Sequence, residues 1–252
     1  MILSQTVCGS GPSISYLHGF TQTKESWLPV IEQLEQNHSH CLLDAPGHGL
    51  SPDGQRTLQQ AASDVAESMH PGILVGYSMG ARIALHVALQ HPEIVTALVL
   101  ISGTGGIDDA SERSARCASD DLLAQRIADI GVAPFINEWL ANPMFSGLST
   151  DLADIPSRCR NTPQGLGDSL RYAGTGTQEP LWNRLCNLTM PVLLIAGEND
   201  QKFINNAQRM NELLLNSELH IMKNVGHTCH LEDILQFSNI LQSWLSGLKS
   251  NH

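Results

Sequence analysis

Little in this sequence points to a membrane, to nucleic acid or to a disulfide framework. No apolar run approaches the roughly 20 residues that a membrane-spanning helix needs. The opening residues, MILSQTVCGSGP, lack the basic region followed by an apolar one that marks an export signal. Positive charge is scarce: 14 Lys and Arg stand against 25 Asp and Glu, and the formal net charge of −11 disfavours non-specific attraction to nucleic acid or anionic lipid. The six cysteines (Cys8, Cys41, Cys117, Cys159, Cys186 and Cys229) form no C-x-x-C pair, so neither a zinc ribbon nor a disulfide scaffold is implied, and most of them read as small buried fillers. The tightest group of metal-ligand types, HTCH at 227–230, has no second cluster at a suitable spacing, and no metal is expected there. A soluble, cytoplasmic globule remains, and 252 residues suffice for one large α/β domain carrying an insertion.

What is present is an alternation of two periodicities. SISYLHG (13–19), HCLLDAPG (40–47), GILVGY (72–77) and VTALVLIS (95–102) are short apolar runs that end in glycine, proline or serine turns, as buried strands do. Between them SWLPVIEQLEQ (26–36), TLQQAASDVAESM (57–69) and MGARIALHVALQH (79–91) carry apolar residues at helical spacing. The repeat predicts a mostly parallel sheet covered by helices on both faces. It stops at Gly103 and resumes with MPVLLIAGEND, INNAQRMNELL, ELHIMKNVGH and a closing helix LEDILQFSNILQSWLSGL. From 104 to 185 no buried strand is evident, whereas DDLLAQRIADIGVAPFINEWLA and GLGDSLRYAGTG look helical. The expected organisation is a core of 1–103 and 186–252 with a helical cap inserted at 104–185.

Gly76-Tyr77-Ser78-Met79-Gly80 fits G-x-S-x-G between a predicted strand and a predicted helix, the context in which a serine stands exposed on a sharp turn. A serine hydroxyl is a poor base or nucleophile at neutral pH and needs an imidazole to accept its proton, with a carboxylate to orient that imidazole. Asp200 follows the strand VLLIAG and His227 follows ELHIM, in the order Ser, Asp, His; Glu198 is the neighbouring alternative to Asp200, and His230 to His227. The backbone N–H groups of Phe20, in LHGF, and of Met79 are candidates for an oxyanion hole. His18 and His48 read as loop supports. Arg82 lies one helical turn beyond Ser78 and is either a surface arginine paired with an acid or a ligand for an anion. Seven of the ten arginines lie within 104–184, a segment without lysine, and guanidinium forks favour two-point carboxylate contacts.

These stretches together resemble the α/β-hydrolase superfamily over nearly the whole chain. A narrower resemblance is carried by GYSMGARIAL, SERSARCASDD, EWLANPMFSGL, RNTPQG and GENDQKF, which are similar to stretches of the 2-succinyl-6-hydroxy-2,4-cyclohexadiene-1-carboxylate synthases of menaquinone biosynthesis. That resemblance implies a carbon-oxygen lyase that needs no cofactor, eliminates pyruvate from an enolpyruvyl cyclohexene precursor and uses its serine as a base. It implies a small polycarboxylate substrate held by arginines that fall on Arg82, Arg116 and Arg160, in a pocket to which Tyr77 and Trp139 belong. Two other expectations differ in chemistry. A carboxylic-ester or C–C bond hydrolase would acylate Ser78 and leave the arginines incidental, and a non-catalytic receptor on the same scaffold would bind without turnover.

Overall fold

The apolar runs become strands because each is short and finds cover on both faces, so leucine, valine and isoleucine can fill successive positions rather than alternate ones. In the computed structural model, which describes residues 1–249, seven strands form one sheet: β1 (Gln5–Gly9), β2 (Ser13–Leu17), β3 (Ser39–Leu43), β4 (Gly72–Tyr77), β5 (Val95–Ile101), β6 (Val192–Gly197) and β7 (Ser217–Met222). Their spatial order is β1-β3-β2-β4-β5-β6-β7, and every neighbouring pair is parallel except β1 with β3. The helices in chain order are α1 (Leu28–Ile31), α2 (Leu58–Ser68), α3 (Met79–Gln90), α4 (Ala110–Ile130), α5 (Val132–Leu140), α6 (Ile155–Arg158), α7 (Pro163–Ala173), α8 (Gln201–Leu213), α9 (Cys229–Glu232) and α10 (Ile234–Lys249).

Two buried clusters, one containing α2 and α3 residues and the other α10 residues, cover the two faces of the sheet. A third, smaller cluster joins Ala124, Ile127, Phe135, Ile136, Leu166 and Leu170 of α4, α5 and α7, all from the segment between β5 and β6. No helix among the described residues is long and apolar enough to cross a membrane.

Three local details differ from the sequence expectation. The edge strand β1 was not expected: its residues are mostly exposed, and it gains its strand only by pairing with β3. The helix expected over 26–36 is a 3-10 turn at Lys24–Trp27 followed by the single turn of α1, and the Gln36 side-chain amide donates to the carbonyl of Leu34 (3.1 Å) beyond its end. The stretch expected to be helical over 120–141 belongs to two helices, α4 and α5. Asp109 starts α4 by accepting from the Glu112 amide, and Gly131, at φ 80°, breaks the run where a side chain would be strained.

Several histidines lie in this interior. His230 and His48 are 0% and 1% exposed, and burial pushes both imidazoles down to about 3. His230 packs its ring on Trp27 (4.9 Å) and Tyr77 (4.3 Å). Because the folded-state values lie below the ordinary 6.5, the unfolded chain binds protons first as pH falls. Stability is therefore complete above about pH 6.5 and drops toward pH 3, by about 1.4 kcal/mol per pH unit for each histidine kept neutral. The melting temperature should fall measurably between pH 7 and pH 5, and His230→Phe should show a shallower fall than the wild type. An equal slope in the two proteins would mean that His230 does not contribute.

Candidate active site

Three connections leave the carboxyl ends of the parallel strands on the same edge of the sheet, and each carries one polar side chain of the site. After β4, Ser78 sits at φ 51°, a conformation that few side chains adopt, and its amide donates to the Ile101 carbonyl at 2.9 Å. The turn is so tight that a Cβ on Gly76 would lie 2.4 Å from the Gly80 carbonyl oxygen, and one on Gly80 would lie 2.3 Å from that of Leu17. Both obstacles are backbone, which explains why the motif has glycine two residues before and two after the serine.

After β7, His227 is 2% exposed and holds its ring between two partners. Nδ1 lies 2.7 Å from Asp200 Oδ2, and Nε2 lies 3.0 Å from Ser78 Oγ. With the proton on Nδ1 donated to Asp200, Nε2 is free to accept from the serine hydroxyl. The alternatives left open by the sequence fall elsewhere. Glu198 turns outward to accept from Lys223 Nζ (2.7 Å) and the Asn224 amide (3.0 Å), and among the described residues the His230 nitrogens have no hydrogen-bond partner. Ser78, Asp200 and His227, from three connections, are the set brought together.

Above Ser78 opens a cavity of about 700 Å³ lined by Tyr77, Ser78, Met79, Phe20, Trp139 and His227 among others. Phe20 meets Trp139 edge to face at 5.2 Å, and Phe203 packs on His227 at 4.5 Å. Met79 is the first residue of α3, and the first four amides of a helix have no intrahelical acceptor, so its N–H is available beside the serine. Phe20 lies in the loop after β2. There Gly19 N donates to Gln22 Oε1 (2.8 Å), and Gln22 N donates back to the Gly19 carbonyl (3.2 Å). His18 supports the same loop, with Nδ1 donating to the Gly19 carbonyl (2.8 Å) and Nε2 accepting from the Ala45 amide (3.0 Å). His48 Nδ1 bonds the Pro46 carbonyl at 3.0 Å, also a loop contact.

The arginines on this cavity are Arg82, Arg116, Arg158 and Arg209. Arg82 is 7% exposed and donates from Nη1 to the Ala173 carbonyl at 2.8 Å. Burial, with Arg116 nearby, pushes its guanidinium down to about 10, so it remains a cation at neutral pH. Arg158 is 3% exposed, donates from Nε to the Ala153 carbonyl (2.6 Å) and from Nη1 to Thr21 Oγ1, and is likewise pushed down to about 10 by burial. Among the described residues neither Arg82 nor Arg158 has a carboxylate within ion-pair distance. Arg116 is partly held, with Nε donating to Asp120 Oδ1 at 2.8 Å. Arg209 pairs with Asp108 and lies over the Trp182 ring at 3.9 Å.

Arg160 lies apart from these four. It is half-exposed, pairs through Nη2 with Glu25 at 2.8 Å and does not line the cavity. Arg158 lines the cavity instead, because α6 ends at Arg158 and the chain then turns, so residues two apart face different sides. The only sequence signal was the R-x-R spacing itself, which offers two candidates and no means of choosing. Lys202 and Phe203, at the start of α8 beside Asp200, also line the cavity and were not anticipated.

A family model described as the alpha/beta hydrolase family matches residues 16–237. A Bacillus subtilis (strain 168) relative that carries the name 2-succinyl-6-hydroxy-2,4-cyclohexadiene-1-carboxylate synthase provisionally is 36% identical over 96% of this chain and 94% of its own length. An Enterobacter sp. (strain 638) protein with the same name, unqualified, is 31% identical over 88% of this chain and 87% of its own length. The solved structure of MenH from S. aureus is similar at a TM-score of 0.87 and 28% identity, covering 96% of this chain and 98% of that one. A thermophilic esterase from Thermogutta terrifontis reaches a TM-score of 0.84 at 19% identity, covering 97% and 93%, a likeness of fold alone.

Proposed function

The chain belongs to the alpha/beta hydrolase family and, within it, to the 2-succinyl-6-hydroxy-2,4-cyclohexadiene-1-carboxylate synthases, and we propose that Ser78, activated by His227, serves it as a base rather than as an acyl-forming nucleophile. The protein is a carbon-oxygen lyase of menaquinone biosynthesis. It eliminates pyruvate from 2-succinyl-5-enolpyruvyl-6-hydroxy-3-cyclohexene-1-carboxylate, leaving 2-succinyl-6-hydroxy-2,4-cyclohexadiene-1-carboxylate.

The residues divide the work by charge. As Ser78 Oγ removes the ring proton α to the succinyl ketone, His227 Nε2 takes the serine proton and Asp200 holds the resulting imidazolium. Electron density moves onto the ketone oxygen, where the N–H groups of Phe20 and Met79 stabilise it. The enolate then collapses through the ring double bond, which shifts toward the enolpyruvyl-bearing carbon, and that C–O bond breaks with its electron pair. The departing enolpyruvate takes up one proton and becomes pyruvate, so the proton first removed is balanced. Tyr77 and Trp139 shape the pocket, and residues 104–185 form the cap that closes it. The substrate is a small cytoplasmic polycarboxylate.

The observation that carries this reading is the pair of buried guanidiniums, Arg82 and Arg158, which face the cavity and, among the described residues, have no carboxylate within ion-pair distance. A cation held this way is costly unless an anion enters beside it, so the cavity suits a substrate that brings carboxylates. A neutral ester offers them nothing. Pyruvate release from the enolpyruvyl precursor should therefore exceed hydrolysis of a p-nitrophenyl ester in kcat/KM by about 10³-fold or more, since polar groups left unpaired are what reject a poor analogue. Rapid ester turnover with an acyl group on Ser78 and no pyruvate would replace the lyase by a hydrolase.

A further inference from the structure

His227 stands in a loop whose backbone is held from two directions. Its own carbonyl accepts from Ser102 Oγ at 2.9 Å. The amides before and after it both donate to one side chain: Gly226 N to Glu232 Oε2 at 2.7 Å, and Thr228 N to Glu232 Oε1 at 3.0 Å. Thr228 Oγ1 adds a third donor to Oε1 at 2.9 Å. Glu232 ends the single turn of α9, and Thr228 caps the start of that turn, so the carboxylate spans the loop from the far side of its own short helix. It does not line the cavity and cannot touch a ligand there.

A carboxylate has two acceptor oxygens and no donor, which matches a cradle of three donors on two residues. Hydrogen bonds of this kind, with an ionised acceptor, are roughly twice as strong as neutral ones. The imidazole must stay within hydrogen-bond distance of both Asp200 and Ser78, and a backbone shift of its loop would break one contact to improve the other. We propose that Glu232 is a positioning residue for the lyase reaction, fixing the loop at 226–228 so that His227 meets Asp200 and Ser78 at once. The proposal rests on the reading of His227 as the partner of Ser78.

A second contact makes it testable from outside the site. Gly147, in the turn after Phe145, is exposed and does not line the cavity. A Cβ built on it would lie 2.0 Å from Glu232 Oε2. Alanine at 147 therefore forces either that carboxylate or the exposed turn carrying residue 147 to give way.

The test compares Glu232→Gln, Gly147→Ala and, as a surface control, Glu218→Gln. Glutamine has one acceptor oxygen where glutamate has two, so it can serve Thr228 or Gly226 but not both. Two readouts are taken: steady-state pyruvate release, and the rate at which a neutral fluorophosphonate labels Ser78, which reports the serine-histidine pair without engaging the arginines. The expected result is a loss of about 10- to 100-fold in kcat and in labelling rate for Glu232→Gln and Gly147→Ala, the scale of a misplacement near 1 Å, with KM within about threefold of wild type. Glu218→Gln should be unchanged. Wild-type kcat and labelling in Glu232→Gln, even with a lowered melting temperature, would overturn the proposal by making Glu232 a stabilising residue only. Should Glu232→Gln fail to fold, Gly147→Ala decides by the same two readouts. Wild-type turnover in His227→Ala would bring down the reading of the site first and this proposal with it.

Discussion

Alanine at Ser78 or at His227 is expected to lower kcat/KM for pyruvate release by about 10³-fold or more while the fold survives. The expectation comes from geometry. Ser78 Oγ and His227 Nε2 are 3.0 Å apart and His227 Nδ1 and Asp200 Oδ2 are 2.7 Å apart, so each group depends on the next. A hydroxyl without its imidazole is too weak a base for a carbon acid, and an imidazole without the hydroxyl is one atom too distant from the substrate. Asp200→Asn should also be strongly impaired, because asparagine can present its amide to Nδ1 and reverse the ring's tautomer. Since the three act as a unit, the Ser78→Ala/His227→Ala double variant should lose far less than the product of the single losses. Full activity in His227→Ala, measured by pyruvate release, would sink the assignment.

Arg82→Ala and Arg158→Ala should each cost about 2–5 kcal/mol in transition-state binding, the range for truncating one partner of a buried charge pair. That is roughly 30-fold to several-thousand-fold in kcat/KM at 1.36 kcal/mol per decade. Lysine at either place should recover part of the loss, because it keeps the charge without the planar two-point contact. Arg116→Ala should also weaken turnover, but Asp120 already satisfies part of its guanidinium and its side chain is 36% exposed. Arg160→Ala is the decisive comparison. It points to Glu25 rather than to the cavity, and an exposed ion pair is worth about 0–1 kcal/mol. If Arg160→Ala impairs turnover as severely as Arg158→Ala, the arginine closer to Glu25 moves onto the substrate, and the division drawn from this geometry is wrong.

The arginines show where a reading of the chain runs out. Arg82 is placed by a local rule: a residue four beyond a serine that opens a helix lies on the same face one turn on. Arg158 and Arg160 are placed by where a one-turn helix ends, and the residues between them carry no signal of that end. Glu232 is harder still. Its neighbours in sequence, HLED, look like any helix start, and its importance comes from the two amides it reaches across the loop. The strand β1 is similar: QTVCG has no apolar alternation of its own, and only β3 makes it a strand.

The sequence by itself determined the parallel sheet, the strand-serine-helix turn and the order of serine, aspartate and histidine. Those features follow from periodicity and from backbone requirements within a few residues, such as the two glycines that leave room for the Gly80 and Leu17 carbonyls. Only the tertiary structure decided which of two neighbouring arginines faces the cavity and which contacts hold the histidine loop. Each of those depends on burial and on contacts between segments far apart in the chain. A buried guanidinium that faces a cavity without a carboxylate at ion-pair distance suits an anion, and no single stretch of sequence shows which guanidinium is so left.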